Sequence, residues 1–172
     1  MLKKLYLIGG SMGVGKTSTC QILKTKLPNS VFLDGDWCWD MHPFQVNPET
    51  KKMVLENIAF LLNNFIHCSS YENIIFCWVM HEQCIIDDIL SRLDTTDCQM
   101  YSISLICSRE ALKMRLQKDV DAKIRQADVI LRSLERLPLY EKLETAKVDV
   151  SDISPERAAE LIVDLKKASE RG

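Results

Sequence analysis

Glycine, lysine and threonine residues near the amino terminus are spaced as in a phosphate-binding loop. The segment Gly10-Ser-Met-Gly-Val-Gly-Lys16-Thr17 matches the pattern G-x-x-x-x-G-K-[ST] at every fixed position. The glycines let backbone N–H groups curl around phosphate oxygens, the lysine supplies a cation, and the threonine hydroxyl can hold Mg²⁺. The sequence therefore predicts a nucleotide phosphate site, formed by Gly10, Ser11, Met12, Gly13, Val14, Gly15, Lys16, Thr17 and Ser18.

Two aspartates lie further along the chain, in the segment Leu33-Asp34-Gly35-Asp36. They follow a short apolar run at 31–33 that is typical of a strand. Carboxylates at the end of such a strand can hold Mg²⁺ through water or accept a proton from a hydroxyl group. The same residues are also typical of a plain turn that ends a strand, so the local sequence leaves both interpretations open.

Apolar runs of strand length alternate with segments of helical periodicity along the whole chain. The predicted strands cover 3–8, 31–33, 73–80, 100–107 and 145–150. The predicted helices cover 16–27, 53–66, 83–93 and 109–118, and a last helix follows an N-cap at Ser154. This order predicts a parallel sheet with helices on both faces. Ligands bind such sheets beyond the carboxyl ends of the strands.

The length and composition are those of an ordinary globular domain. The chain has 172 residues, of which 47% are hydrophobic and 27% charged, and its net charge is −2. Balanced charge gives no broad basic surface for nucleic acid, and no apolar run reaches the ~18 residues of a membrane span. The seven cysteines are odd in number and form no C-x-x-C pair, which favours a reducing compartment. We therefore expect a cytoplasmic protein that binds neither nucleic acid nor membrane.

The phosphate loop, the acidic pair and the alternating elements together resemble the small P-loop kinases. Shikimate kinase, gluconate kinase, adenylylsulfate kinase and chloramphenicol phosphotransferase belong to this group, and adenylylsulfate kinase carries a similar L-D-G-D segment. The resemblance implies an α/β, three-layer fold with a five-stranded parallel sheet flanked by helices. It also implies a single domain over 1–172, with a small helical lid at about 117–137. The implied cofactors are ATP and Mg²⁺.

The resemblance further implies roles for residues of the phosphate loop and the acidic pair. Lys16 is expected to act in catalysis on the transferred phosphoryl group. Thr17 and Asp34 are expected to bind Mg²⁺, and Asp36 to bind the substrate or act as the base. The roles of Asp34 and Asp36 can be exchanged, so Asp34 is also a candidate for substrate binding.

A basic segment follows the fourth predicted strand. Residues 113–136 contain seven lysines and arginines and four acidic residues, in a chain whose net charge is −2. In the kinases that the chain resembles, this region is the lid, and its cations stabilise negative charge on the transferred phosphoryl group. The resemblance makes Arg125 the first candidate for a catalytic lid arginine and Arg115 the candidate for stacking on adenine. The alternative is a solvated helical face with structural ion pairs.

In one respect the chain departs from the wider group of P-loop proteins. A Walker B strand ends in aspartate, whereas the predicted strand 73–80 contains no acidic residue, and His81 and Glu82 follow it. This difference argues against a GTPase or a mechanical ATPase. The absence of the N-K-x-D tetrapeptide also argues against a GTPase. A regulatory NTPase without kinase activity stays an alternative hypothesis.

The acceptor side is expected after the acidic pair, where the resemblance makes Trp37 and Trp39 candidates for substrate binding. Aromatic rings there can stack on a planar ligand or simply pack a loop onto the core. The region 37–70 has no arginine to hold a substrate phosphate. We therefore favour a kinase, monomeric or homodimeric, that phosphorylates a hydroxyl of a metabolite or antibiotic. A nucleoside or nucleotide kinase is the alternative.

Overall fold

A single parallel sheet organises the chain, and the computed structural model describes residues 2–169 of it, with side chains as far as residue 165. The sheet has the strand order β2-β3-β1-β4-β5. Its strands are β1 (Lys3–Gly10), β2 (Ser30–Asp34), β3 (Asn73–Trp78), β4 (Cys98–Ile106) and β5 (Ala146–Asp149). The helices are α1 (Lys16–Lys26), α2 (Pro48–His67), α3 (Gln83–Ser91), α4 (Arg109–Asp121), α5 (Asp128–Arg136) and α6 (Pro155–Ser169). Short 3₁₀ helices cover Gly35–Trp39 and Leu137–Lys142. The predicted α/β fold with a five-stranded parallel sheet is confirmed.

Alternate residues of β1 face opposite sides of the sheet, as the two-residue period of a strand requires. Tyr6 and Ile8 are buried in one apolar cluster, which contains residues of α1, α4, α5 and α6. Leu5 and Leu7 are buried in the other cluster, with residues of α2, α3 and the second 3₁₀ helix. A strand buried on both faces explains why its sequence is almost continuously apolar. The result is the predicted three-layer arrangement of helices, sheet and helices.

Two helices differ from the sequence prediction. The structure begins α2 at Pro48, because Asn47 and Thr50 form a reciprocal capping box ahead of the apolar residues that start at 53. The sequence prediction placed one helix at 109–118 and a helical lid at 117–137, whereas α4 continues to Asp121 and α5 is separate. The predicted domain limits include Met1 and 170–172, which lie outside the described residues.

The carboxyl ends of the strands bring the predicted site residues to one edge of the sheet. The phosphate loop follows β1, Asp34 is the last residue of β2, and Trp78 is the last residue of β3. β3 lies between β2 and β1, and Trp78 is paired in register with Gly9. Among the described residues, no helix is both long and apolar enough to cross a membrane.

Candidate functional site

The phosphate loop depends on glycine at two positions for different reasons. Gly13 has a φ of 81°, and a Cβ there would lie 2.4 Å from Leu116 Cδ2 of α4. Gly15 has a φ of 102° in open space, so only the left-handed backbone requires glycine there. No side chain caps the first turn of α1, which also has no acidic residue. This helix end, with its positive dipole, is therefore suited to an anion.

Lys16 closes the phosphate loop on itself. Its Nζ donates a hydrogen bond of 3.0 Å to the carbonyl oxygen of Ser11. Burial lowers the pKa of the Lys16 amine, and the carboxylates of Asp36 and Asp34 oppose this effect. Because the partner is a neutral carbonyl group, a phosphate oxygen can compete for the same ammonium group.

Thr17 and Asp34 are joined directly, although they are 17 positions apart in the sequence. The Thr17 hydroxyl donates a 2.6 Å hydrogen bond to Asp34 Oδ2. Asp34 is only 5% exposed, and its Oδ1 accepts a 3.0 Å hydrogen bond from the backbone N–H of Asp36. The structure thus brings the two predicted Mg²⁺ ligands together, in a position where Asp34 itself has little access to a substrate.

Asp36 is exposed and is oriented by a residue that the sequence prediction did not assign to the site. The indole Nε1 of Trp78 donates a 3.1 Å hydrogen bond to Asp36 Oδ1. Within the described part of the chain, no donor is bonded to the other oxygen, Oδ2. Gly35 permits this arrangement, because a Cβ there would lie 2.6 Å from the Trp78 ring. A carboxylate with one oxygen fixed and one free is suited to orient a hydroxyl group or accept its proton.

The two tryptophans predicted to bind substrate point to different neighbours. Trp39 packs edge-to-face against Trp78, with ring centroids 5.7 Å apart, and against Phe44 at 5.1 Å. Trp37 packs edge-to-face against Phe32 at 5.3 Å and is 54% exposed. The structure therefore brings Trp39 into contact with the tryptophan that orients Asp36, whereas Trp37 lies outside this group of rings.

Arg115 connects the phosphate loop to the loop that follows β5. One guanidinium nitrogen lies 3.3 Å from the carbonyl oxygen of Val14, and the other lies 2.5 Å from that of Val150 and 3.1 Å from that of Ser151. Beside it lies a cavity of about 340 Å³ that Pro155 also lines. This cavity adjoins the phosphate loop at Gly15 and has the apolar and cationic walls that a nucleobase prefers.

Arg125 is paired with a residue of its own segment of the chain. Its Nε is 3.0 Å from Asp119 Oδ2, so the guanidinium group forms an ion pair within the segment around the α4–α5 connection. The phosphate loop does contact α5, since the buried Ser11 hydroxyl lies 3.2 Å from the carbonyl oxygen of Ser133. The remaining predicted loop residues differ in exposure: Met12 packs against the core, Val14 is buried, and Ser18 is exposed.

A second group of polar residues was missed by the sequence prediction. His81 Nδ1 and the Tyr140 hydroxyl are buried without a hydrogen-bond partner among the described residues. Burial lowers the pKa of His81, and the charge of Arg136 acts in the same direction. Burial also raises the pKa of the Tyr140 phenol, which Arg136 opposes. The sequence placed His81 correctly after β3 but gave no indication that Arg136 lies near it.

Comparison with known proteins gives one family and several similar structures. The AAA domain family matches residues 7–137, which include the phosphate loop and the acidic pair. No curated protein sequence matches the chain. A tunicamycin resistance protein from Deinococcus radiodurans has 18% identity and a TM-score of 0.69, and the match covers 95% of each chain.

Two kinase structures are similar over almost their whole length. A gluconokinase from Sinorhizobium meliloti has 17% identity and a TM-score of 0.63, covering 98% of each chain. A shikimate kinase from Acinetobacter baumannii, in complex with shikimate, has 17% identity and a TM-score of 0.63, covering 98% of this chain and 95% of that one. Identities this low establish the fold alone. The chain belongs to the AAA domain family of P-loop proteins, and its fold is that of the small P-loop kinases.

Proposed function

We propose that the protein is a small-molecule kinase that transfers the γ-phosphoryl group of ATP to a hydroxyl group of its acceptor. The observation that carries the proposal is the free oxygen of Asp36, on a carboxylate linked through Asp34 and Thr17 to the phosphate loop. A free carboxylate oxygen beside the phosphate loop can accept the proton of an attacking hydroxyl group. The similar structures that are called gluconokinase and shikimate kinase support the same reaction class.

At the phosphate end, Lys16 and the first turn of α1 would bind the nucleotide phosphates. Thr17 and Asp34 would hold Mg²⁺, which would supply positive charge against the phosphate oxygens. The described residues contain no group of three or more His, Cys, Asp and Glu side chains suited to a metal. The pair formed by Thr17 and Asp34 still fits Mg²⁺, because this ion usually takes most of its other ligands from water and substrate phosphates.

At the acceptor end, Asp36 would orient the hydroxyl group and accept its proton on Oδ2. The acceptor oxygen forms a new bond to the γ-phosphorus, and the bond from that phosphorus to the β-phosphate oxygen breaks. ADP leaves with the bonding electron pair. The indole of Trp78 holds the carboxylate in position throughout, because its hydrogen bond occupies the opposite oxygen.

The nucleobase would lie in the cavity between Arg115 and Pro155. Arg125 would leave Asp119 when the lid closes and would then stabilise negative charge on the transferred group. Closure would also exclude water, which otherwise competes with the acceptor for the phosphoryl group.

The experiment that tests this proposal measures ADP release from MgATP in the presence of pooled acceptors. The pools are nucleosides, nucleotides, sugars and sugar acids, aminocyclitols, and aryl alcohols. We expect one pool to stimulate ADP release and Lys16→Ala to abolish it, while Lys24→Ala on the same helix retains it. Asp36→Asn should keep ATP binding and lose transfer. Tight ATP binding without stimulation by any pool would contradict the proposal and favour a regulatory NTPase.

A further inference from the structure

Three aromatic rings lead from Asp36 towards the surface, and we call Trp78, Trp39 and Phe44 the aromatic ladder. Adjacent rings meet edge-to-face, with centroids 5.7 Å apart for Trp78 and Trp39 and 5.1 Å apart for Trp39 and Phe44. The ladder begins at the residue whose indole N–H is bonded to Asp36. The rings and the candidate base therefore belong to one continuous surface.

The inner part of the aromatic ladder is held in place, and its outer part is open. The Trp78 ring lies against Gly35, and Trp39 packs against the apolar core between the sheet and α2. Phe44, in contrast, is 61% exposed. Packing of a loop onto the core accounts for Trp39, whereas Phe44 leaves most of its ring open to a ligand at the outer end of the ladder. A pre-formed aromatic surface of this kind can bind another ring without reorganisation.

The charges around the aromatic ladder argue against an anionic ligand on this flank. Asp36 and Asp40 are the carboxylates nearest to it along the chain, and the region 37–70 contains no arginine. Its two lysines are Lys51 and Lys52, on α2, and Lys52 lies 3.6 Å from Glu56. Arg136 acts on His81, three residues after Trp78, and so belongs to the inner end of the ladder. At the outer end, around Phe44, the segment 37–70 supplies no guanidinium group for a carboxylate or phosphate on a ligand.

We propose that the acceptor carries an uncharged aromatic ring, such as an aryl group or a nucleobase, that packs on the aromatic ladder while its hydroxyl group reaches Asp36. This inference rests on the proposed kinase function and names its substrate class. Trp37 is not part of the ladder, since its ring packs against Phe32 and not against these three rings. The ring contacts provide affinity, and the carboxylate provides the chemistry, so the two can be separated by mutation.

The test compares acceptors that share their hydroxyl groups and differ in the ring. Uridine is paired with methyl β-ribofuranoside, and 3-phenylpropane-1,2-diol with propane-1,2-diol. ADP release from MgATP is measured for each compound. We expect kcat/KM for the ring-bearing member of at least one pair to be about tenfold higher, from the area that the ring buries.

Two variants assign this preference to the aromatic ladder. Phe44→Ala, at an exposed ring, should raise KM for the ring-bearing acceptor about fivefold and leave kcat and the KM of its ringless partner unchanged. Trp39→Ala also removes the ring that supports Trp78, so it should raise KM for the ring-bearing acceptor and lower kcat as well. Phe60→Ala is the matched control, because Phe60 is a 67% exposed ring on α2 and makes no ring contact with the ladder.

The outcomes separate the substrate class from the kinase function. Transfer to polar compounds such as gluconate, with no advantage for a ring, would overturn the inference and leave the kinase proposal intact. If no compound stimulates ADP release, saturation-transfer NMR tests directly whether uridine and 3-phenylpropane-1,2-diol bind to the aromatic ladder. Binding that Phe44→Ala weakens would support the aromatic site and contradict the kinase. Absence of binding would overturn the aromatic site.

Discussion

Trp78 is expected to act on catalysis through Asp36 and not through nucleotide binding. Trp78→Phe keeps a ring against Gly35 but removes the N–H group that donates to the carboxylate. A hydrogen bond to a charged group contributes about 1.5–3 kcal/mol when buried, and less in this exposed position, so kcat should fall about tenfold. The Kd for ATP, measured by calorimetry, should stay within twofold of the wild-type value. A parallel loss of ATP affinity would show that Trp78 supports the fold instead.

His81 is expected to make stability depend on pH. Burial and the charge of Arg136 lower the pKa of His81 below its ordinary value of 6.5. As the pH falls through that value, the unfolded chain binds a proton that the folded chain does not. The free energy of unfolding therefore decreases as the solution becomes more acidic. His81→Gln should make the unfolding temperature less sensitive to pH between 7 and 5.

The matched control for this prediction is His42→Gln, at an exposed ring. Thermal unfolding of both variants and the wild type is followed in one series of buffers. The slope of unfolding temperature against pH in His42→Gln is the reference for replacing an exposed histidine. Equal slopes in His81→Gln and the wild type would contradict the assignment.

At the scale of single residues, the sequence indicates the phosphate loop more directly than it indicates the contacts around Asp36. Gly10–Thr17 is one contiguous segment whose chemistry depends on backbone conformation and two adjacent side chains, so its pattern carries the prediction. The Asp36–Trp78 hydrogen bond joins residues that are 42 positions apart, and no local sequence pattern indicates it. The one indication was a tryptophan at the carboxyl end of a buried strand, next to the strand that ends in Asp34.

At the scale of elements, one buried hydrogen bond joins the phosphate loop to α5. Ser11→Ala removes the donor, while the Ser133 carbonyl oxygen keeps its bond from the backbone N–H of Leu137, so the cost should be about 0.5–1 kcal/mol. We expect the rate of hydrogen exchange, measured by mass spectrometry, to increase from the wild type to the variant in α5 more than in the other helices. Ser91→Ala removes a similar contact at the exposed end of α3 and should leave α5 unchanged. A uniform increase in exchange would mean that Ser11 stabilises the whole domain and not this contact.

The start of α2 and the break between α4 and α5 were not predicted from the sequence, and each has a local physical cause. The first turn of α2 is polar and depends on the Asn47–Thr50 capping box, so hydrophobic periodicity detects the helix only from its second turn. The segment 113–136 is rich in charge, and its apolar residues are divided between α4 and α5. The connection contains Lys123 with a φ of 58°, a left-handed residue that periodicity cannot indicate.

At the scale of the whole molecule, the ion pair between Arg125 and Asp119 is expected to mark one state of a moving lid. Arg125→Ala should lower kcat about 100-fold, since the proposed contact forms only with the transition state. The KM for ATP should change less than threefold. Asp119→Asn, which releases the arginine, should retain kcat. Equal losses in kcat and ATP affinity in Arg125→Ala would place the arginine in ground-state binding.

The overall architecture was predictable because strand–helix alternation and one loop motif constrain it together. Right-handed crossovers and a buried central strand leave few ways to arrange five parallel strands with helices on both faces. The phosphate loop after β1 then places the site at the carboxyl edge. Contacts between distant segments, such as Arg115 with the loop after β5, depend on packing that no sequence period encodes.

The three tryptophans of the chain, Trp37, Trp39 and Trp78, all lie near the carboxyl ends of β2 and β3. Fluorescence excited at wavelengths that only tryptophan absorbs therefore comes from that end of the molecule alone. The protein carries a built-in optical reporter there, with no label attached. Quenching or a wavelength shift on titration would report on this end, whereas no tryptophan lines the cavity between Arg115 and Pro155.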